Sequence, residues 1–127
     1  MGAAGEEAAA SFLRTLGCDV VARNYRTPWG EIDIVARDGD CLVFAEVKTG
    51  RADARVAPCE NYTPRKAARV FKAGVAFLQA EGYAEDADFR FDVLVVTRDG
   101  GSFQIQHYAG VPMDQYCPEL LRGGSSD

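Results

Sequence analysis

The chain has 127 residues, 47% of them hydrophobic and 26% charged, with a formal net charge of −5. That length suits a single domain able to bury about two thirds of its unfolded surface without a stapling metal or disulfide. No stretch approaches the ~20 apolar residues of a membrane span, and the negative balance argues against a polyanion held over the whole surface.

From Gly5 to Leu16 the apolar residues Ala9, Phe12, Leu13 and Leu16 recur at helical spacing, and Gly17 is a natural stop. Glu7 lies opposite that stripe and Glu6 at its edge, so Glu6 looks along the core boundary while Glu7 faces water. Either acid also suits the positive end of the helix dipole. The opening MGAAGEEAAASFL has no basic start followed by an apolar signal core, and Glu6 stands where a myristoylation signal wants Ser or Thr. Cys18, Cys41, Cys59 and Cys117 show no C-x-x-C spacing, which disfavours a zinc site or disulfide framework and fits reduced thiols in a cytoplasmic protein.

Asp19 to Arg26 reads as a first strand, and Pro28 and Gly30 punctuate the turn that follows, where Trp29 is placed to pack or to touch a base. Residues 30–50, GEIDIVARDGDCLVFAEVKTG, are two β-branched runs around Gly39-Asp40, the signature of a tight antiparallel hairpin. With that loop Val35 faces Phe44, Asp33 falls opposite Glu46 and Lys48 opposite Glu31. Alternation puts Ile32, Ile34 and Ala36 on one apolar face with Cys41, Val43, Ala45 and Val47. The other face carries Val35, Leu42 and Phe44 near the turn but Glu31, Asp33, Glu46 and Lys48 at the far end.

Facing side chains in such a pair are roughly 5 Å apart, and like charges there destabilise the sheet. Either one carboxylate takes up a proton, or a hard divalent cation sits between them, or Lys48 neutralises one charge in an ordinary salt-bridged sheet end. Spacing alone leaves these open.

After Lys48 the stretch TGRADARVAPCENY has no clear period and reads as an irregular basic loop. Thr63-Pro64 is a helix start, and to about Glu81 the residues Ala67, Phe71, Gly74, Val75 and Leu78 form one stripe, with Arg65, Arg69 and Lys72 opposite. FRFDVLVVT, from Phe89 to Thr97, is a mostly buried strand, and RDGG turns it into FQIQHYA, from Phe103 to Ala109. His107, the single histidine, reads as a packing or surface residue. The expected order is αβββαββ, an α/β domain with a mixed sheet of about five strands flanked by helices over residues 1–117, with 118–127 as a tail.

Between Lys48 and Lys72 lie seven basic residues and two acids, a local +5 that leaves −10 for the rest of the chain. Segregated charge beside an acidic cluster is an electrostatic footprint for nucleic acid, and equally the pattern of a solvated helix face.

The blocks Gly5-Glu6, GEIDIVARD (Gly30 to Asp38), FAEVK (Phe44 to Lys48), TPRK (Thr63 to Lys66) and RFDV (Arg90 to Val93), in that order, resemble the YraN family of bacterial proteins (uncharacterised protein family 0102). That family is similar to archaeal Holliday-junction resolvases and the wider restriction-endonuclease-like, PD-(D/E)xK, nucleases. The resemblance implies a restriction-endonuclease-like fold and places metal-binding acids at Asp33 and Glu46, a catalytic lysine at Lys48 and a helix-borne acid at Glu6. One departure is the loop after Lys48, where many relatives carry a Phe-Gly pair and this chain reads ADARVAPCENY.

These readings together lead to an expected Mg²⁺-dependent endodeoxyribonuclease, with Mn²⁺ as a substitute, acting on branched or structured DNA. Asp33, Glu46, the carbonyl of Val47 and Glu6 would hold the ion, and Lys48 would position or deprotonate the attacking water. Arg51, Arg55, Arg65, Lys66, Arg69 and Lys72 would contact backbone phosphates, and a homodimer would suit a symmetric substrate. The alternative is a nucleic-acid-binding module of the same fold with little or no chemistry.

Overall fold

The computed structural model describes residues 2–51 and 64–111. Seven elements follow in the expected order: α1 (Gly2–Thr15), β1 (Asp19–Thr27), β2 (Gly30–Asp38), β3 (Cys41–Arg51), α2 (Pro64–Ala80), β4 (Phe89–Asp99) and β5 (Ser102–Tyr108). They build one five-stranded sheet in the order β1-β2-β3-β4-β5. Only β3 and β4 run parallel, because a parallel pair needs a long crossover and α2 lies between them in sequence.

Local chemistry sets the ends of these elements. Gly39 takes a φ of 63° while Asp40 does not leave the negative range, the pattern of a II′ turn, and the hairpin pairs Asp38 with Cys41 and Val35 with Phe44. Both helices close in the same way, on a glycine in the left-handed region. Gly17 donates its N–H to the Arg14 carbonyl and Cys18 to that of Leu13; Gly82 donates to Gln79 and Tyr83 to Leu78. This closure turns the chain so that Cys18 enters the core with Leu13, and Leu16, expected in the apolar stripe, is left 53% exposed.

The sheet is covered on both faces, so its central strands are nearly continuous apolar runs. Against α1 pack Ile34, Ala36, Val43, Ala45, Leu94 and Val96, with Val47 at the margin. Against α2 pack Val35, Leu42, Phe44 and Phe91. Two residues assigned to the α1 face lie elsewhere. Ile32 joins the α2 cluster, and Cys41, at the very start of β3, is only half-buried.

The stripe of α2 is also rotated from its expected position. Ala73, Gly74, Phe77 and Leu78 are buried, whereas Phe71 is 36% exposed. Close approach explains the rotation, since a Cβ on Gly74 would stand 3.1 Å from the ring of Phe44. The small residues thus meet the sheet, and Phe71 stays at the edge with its ring centroid 6.4 Å from those of Phe89 and Phe91.

Asp92 is the buried charged residue of the core among the described residues, at 1% exposure. Its Oδ1 accepts from Arg90 Nε at 3.0 Å and Gly110 N at 2.9 Å; its Oδ2 accepts from Arg90 Nη2 at 3.3 Å and lies 2.7 Å from His107 Nε2. Arg90 Nη1 continues the chain of bonds to Asp38 at 2.9 Å. A carboxylate can be buried only when its acceptors are filled in this way. His107 therefore does serve as a packing residue, tied to Asp92 and edge-on to Phe12.

Asp92→Ala leaves those donors unmatched, and urea unfolding is expected to show a loss of about 3 kcal/mol. A loss below about 1 kcal/mol would mean that the network adds no net stability.

Candidate active site at the end of the central hairpin

Pairing of β2 with β3 runs from Asp38↔Cys41 to Ile34↔Ala45 and stops there. The next residue of β2 is Asp33, whose Oδ2 accepts the N–H of Val47 at 2.8 Å. A side chain thus takes the donor that a strand carbonyl would otherwise satisfy. The expected facing pairs Asp33–Glu46 and Glu31–Lys48 are therefore not ladder partners. Like charges oppose a close Asp33–Glu46 pair, and Asp33 instead caps the ladder, so that beyond it β2 stays paired only to β1, through Tyr25↔Ile32 and Arg26↔Glu31. That departure carries Ile32 to the α2 side.

Where the strands part, a cavity of about 140 Å³ opens between the sheet and α2, lined by Glu31, Ile32, Asp33, Phe44, Ala45, Glu46, Val70, Phe91 and Asp92. Asp33 and Glu46 are thus brought together across a shared space. Burial pushes the Asp33 carboxyl up to about 6, partly offset by the Val47 N–H and reinforced by the negative charges of Glu6, Glu46 and Glu31.

Glu6 acts on Asp33 from the other helix. Gly5 sits so close to the ends of β3 and β4 that a Cβ there would lie 2.7 Å from Thr49 Cγ2 and 3.9 Å from Val96 Cγ1. That approach brings the half-buried Glu6 to the end of the sheet holding Asp33, whereas Glu7, as expected, is exposed and pairs with Arg23 at 2.6 Å. Lys48 is half-buried, two residues past Glu46 on β3 and opposite Val95 of β4.

Of the basic residues expected to meet phosphate, Arg65, Arg69 and Lys72 are exposed on α2. Arg51 ends β3; Arg55 lies outside the described residues, and nothing is described of the Lys66 side chain.

Among the described residues no group of three His, Cys, Asp or Glu side chains is arranged to hold one ion. Two carboxylates on one cavity do fit a hydrated Mg²⁺, which keeps several waters and is commonly held by one or two carboxylates. One water needs about 15 Å³ of such space, so an ion and part of its shell have room. Asp92 also lines the cavity, but its carboxylate is already saturated. Glu31 and Asp92 were not singled out as site residues; a lone Asp in an apolar strand was the available signal for the second.

Comparison with known proteins follows the same ground. The model of Uncharacterised protein family UPF0102 matches residues 5–96. The chain belongs to this family. The match runs from Gly5 to Val96 and so takes in Glu6, Asp33, Glu46 and Lys48. A UPF0102 protein of Acidothermus cellulolyticus is 46% identical over 76% of this chain and 80% of its own. One from Beutenbergia cavernae is 43% identical over 87% of this chain and 94% of its own. One from Geobacter sulfurreducens is 43% identical over 76% and 75%. Among the described residues, no helix of this UPF0102 chain is long and apolar enough to cross a membrane.

The raised Asp33 value makes a pH dependence. Between the ordinary 3.8 and about 6 the folded chain binds the extra proton, so stability falls as pH rises across that window and levels off above it. Asp33→Asn should remove about 2–3 kcal/mol of this penalty at neutral pH. Without added metal the variant is expected to melt higher than the parent at neutral pH and to converge with it near pH 4. Equal melting at both pH values would show that the buried charge carries no cost.

Proposed function

We propose that the chain is a divalent-cation-dependent nuclease that hydrolyses phosphodiester bonds of DNA. The observation that carries this reading is the meeting of Asp33 and Glu46 on one cavity, within reach of the field of Glu6 and two residues from Lys48. An apolar core has no structural need for two acids there. The likeness of the sequence blocks to PD-(D/E)xK nucleases supports the same assignment, as does the exposed Arg65, Arg69 and Lys72 row on the neighbouring helix.

In this mechanism Asp33 and Glu46, with the Val47 carbonyl, would hold Mg²⁺ or Mn²⁺. When bound, the cation supplies charge stabilisation at the phosphate and a more acidic water. Asp33 accepts the Val47 N–H through Oδ2, which fixes the orientation of its carboxylate. Lys48 orients or deprotonates the attacking water and offsets the charge that develops on phosphate oxygens. Glu6, at the same end of the sheet, would help to hold the ion. Arg65, Arg69 and Lys72, with Arg51, Arg55 and Lys66, hold the backbone without reading sequence. Paired sites in a homodimer would act on branched DNA.

The second reading, a nucleic-acid-binding module with little chemistry, is favoured by one observation: a third acid does not join Asp33 and Glu46 as a ligand group among the described residues.

Labelled linear, single-stranded, flapped and four-way-junction DNA, incubated in Mg²⁺ or Mn²⁺ beside an identically prepared Lys48→Ala protein, separates the two. Cleavage at least about 100-fold faster by the parent is expected. Equal rates would assign the activity to a contaminant, and salt-sensitive binding without cleavage would favour the module. Independently, Mn²⁺ should raise the melting temperature of the parent and not of Asp33→Asn; equal shifts would remove Asp33 from the metal site.

A further inference from the structure

Exposed aromatic area is concentrated at one place outside the acid cavity. Trp29, 45% exposed, and Phe71, 36% exposed, are two of the four large apolar side chains most open to water among the described residues. They line a common hollow of about 270 Å³ with Lys72, Val75, Ala76 and Gln79. Lys72 Nζ lies 4.7 Å from the centroid of the Trp29 ring, a cation–π arrangement that keeps the ring upright against α2.

The turn that carries Trp29 is itself held. Thr27 Oγ1 accepts the Trp29 N–H at 3.1 Å and donates to the Gly30 carbonyl at 2.7 Å. The ring therefore projects from a fixed loop, and its exposure is a feature of the fold.

The hollow adjoins the acid cavity. Trp29 precedes Glu31 and Asp33 on the same chain segment, and Val70, beside Phe71 on α2, lines the acid cavity. Phe71 packs at 6.4 Å from Phe91, which also lines that cavity. On α2 the residues Arg65, Arg69 and Lys72 are spaced to form one positive row, which ends at the aromatic hollow. Cations suit phosphates, and a flat ring next to them suits a base that has left its stack. A fully paired duplex offers no free π-face to such a ring.

We infer that Trp29, with Phe71 and Lys72, forms a stacking platform for an unpaired DNA base next to the Asp33–Glu46 cavity. This rests on the nucleic-acid reading above and narrows it to substrates with a single-stranded or flipped nucleotide near the scissile bond. Base–aromatic stacking tolerates any sequence, in keeping with backbone contacts that carry no sequence information.

Trp29 is the single tryptophan of the chain, so its fluorescence reports on the platform alone. The full chain, in EDTA to hold off cleavage, is titrated with fluorescent oligothymidylate, an abasic strand of equal length and a blunt duplex. Anisotropy reads binding and tryptophan emission reads stacking. Oligothymidylate is expected to quench Trp29 and the abasic strand not to. Trp29→Ala should weaken oligothymidylate about tenfold, with Trp29→Phe recovering most of the loss and duplex affinity unchanged in both. Binding of all three ligands with equal quenching, or Trp29→Ala binding oligothymidylate as tightly as the parent, would overturn the platform while leaving the nuclease reading in place. No binding to any of them, in EDTA or with Ca²⁺ in its place, would overturn both.

Discussion

The hydrogen bond from Val47 N–H to the Asp33 carboxylate is the constraint around which the site is arranged. By taking a ladder donor with a side chain, Asp33 ends the β2–β3 pairing one residue before the charged positions. The two strands then separate, Ile32 crosses to the α2 side, and the acid cavity opens between them. The same bond draws the carboxylate into the interior, where desolvation opposes ionisation. Burial outweighs the stabilising N–H, so the group titrates near 6. The negative charges of Glu6, Glu46 and Glu31 add to the same rise.

The two helices contribute through close approaches that only small residues permit. At Gly5, α1 comes against Thr49 and Val96 and brings Glu6 to the open end of the sheet. At Gly74, α2 comes against Phe44, with Phe77 and Leu78 buried and Phe71 left at the margin. Phe71 and Lys72 are thereby turned toward Trp29. The helix on one face of the sheet thus carries an acid whose charge reaches Asp33, and the helix on the other face carries part of an aromatic and basic hollow. Behind the site the Asp92 network ties β4 to β5, to the segment at Gly110 and, through Arg90, to the hairpin turn at Asp38. These bonds hold β4 to β5 and to the end of β2.

Much of this architecture was legible in the chain. Period-two apolar runs around Gly39-Asp40, the Thr63-Pro64 start and the glycines after each helix carry strong local preferences, and the order αβββαββ follows from them. Asp33, Glu46 and Lys48 stand out because charges break an apolar hairpin, whereas Glu6 enters the site only through the family resemblance. What went astray depended on partners distant in sequence. Leu16 was assigned to the core by helical period, but the glycine closure replaces it with Cys18. The same logic places Phe71 inward, without the aromatic surface against which Ala73 and Phe77 are buried instead.

The sequence by itself determined the elements and their order, because these follow from backbone preference and alternation within a few residues. The tertiary structure alone decided where the β2–β3 ladder stops, how far burial raises Asp33, which face of α2 is exposed and that Trp29 meets Lys72. Each of these is a competition between a local rule and a contact made across the sheet. A side-chain acceptor displaces a strand carbonyl, a glycine admits an aromatic ring, and the outcome is set by space that exists only once the helices are packed.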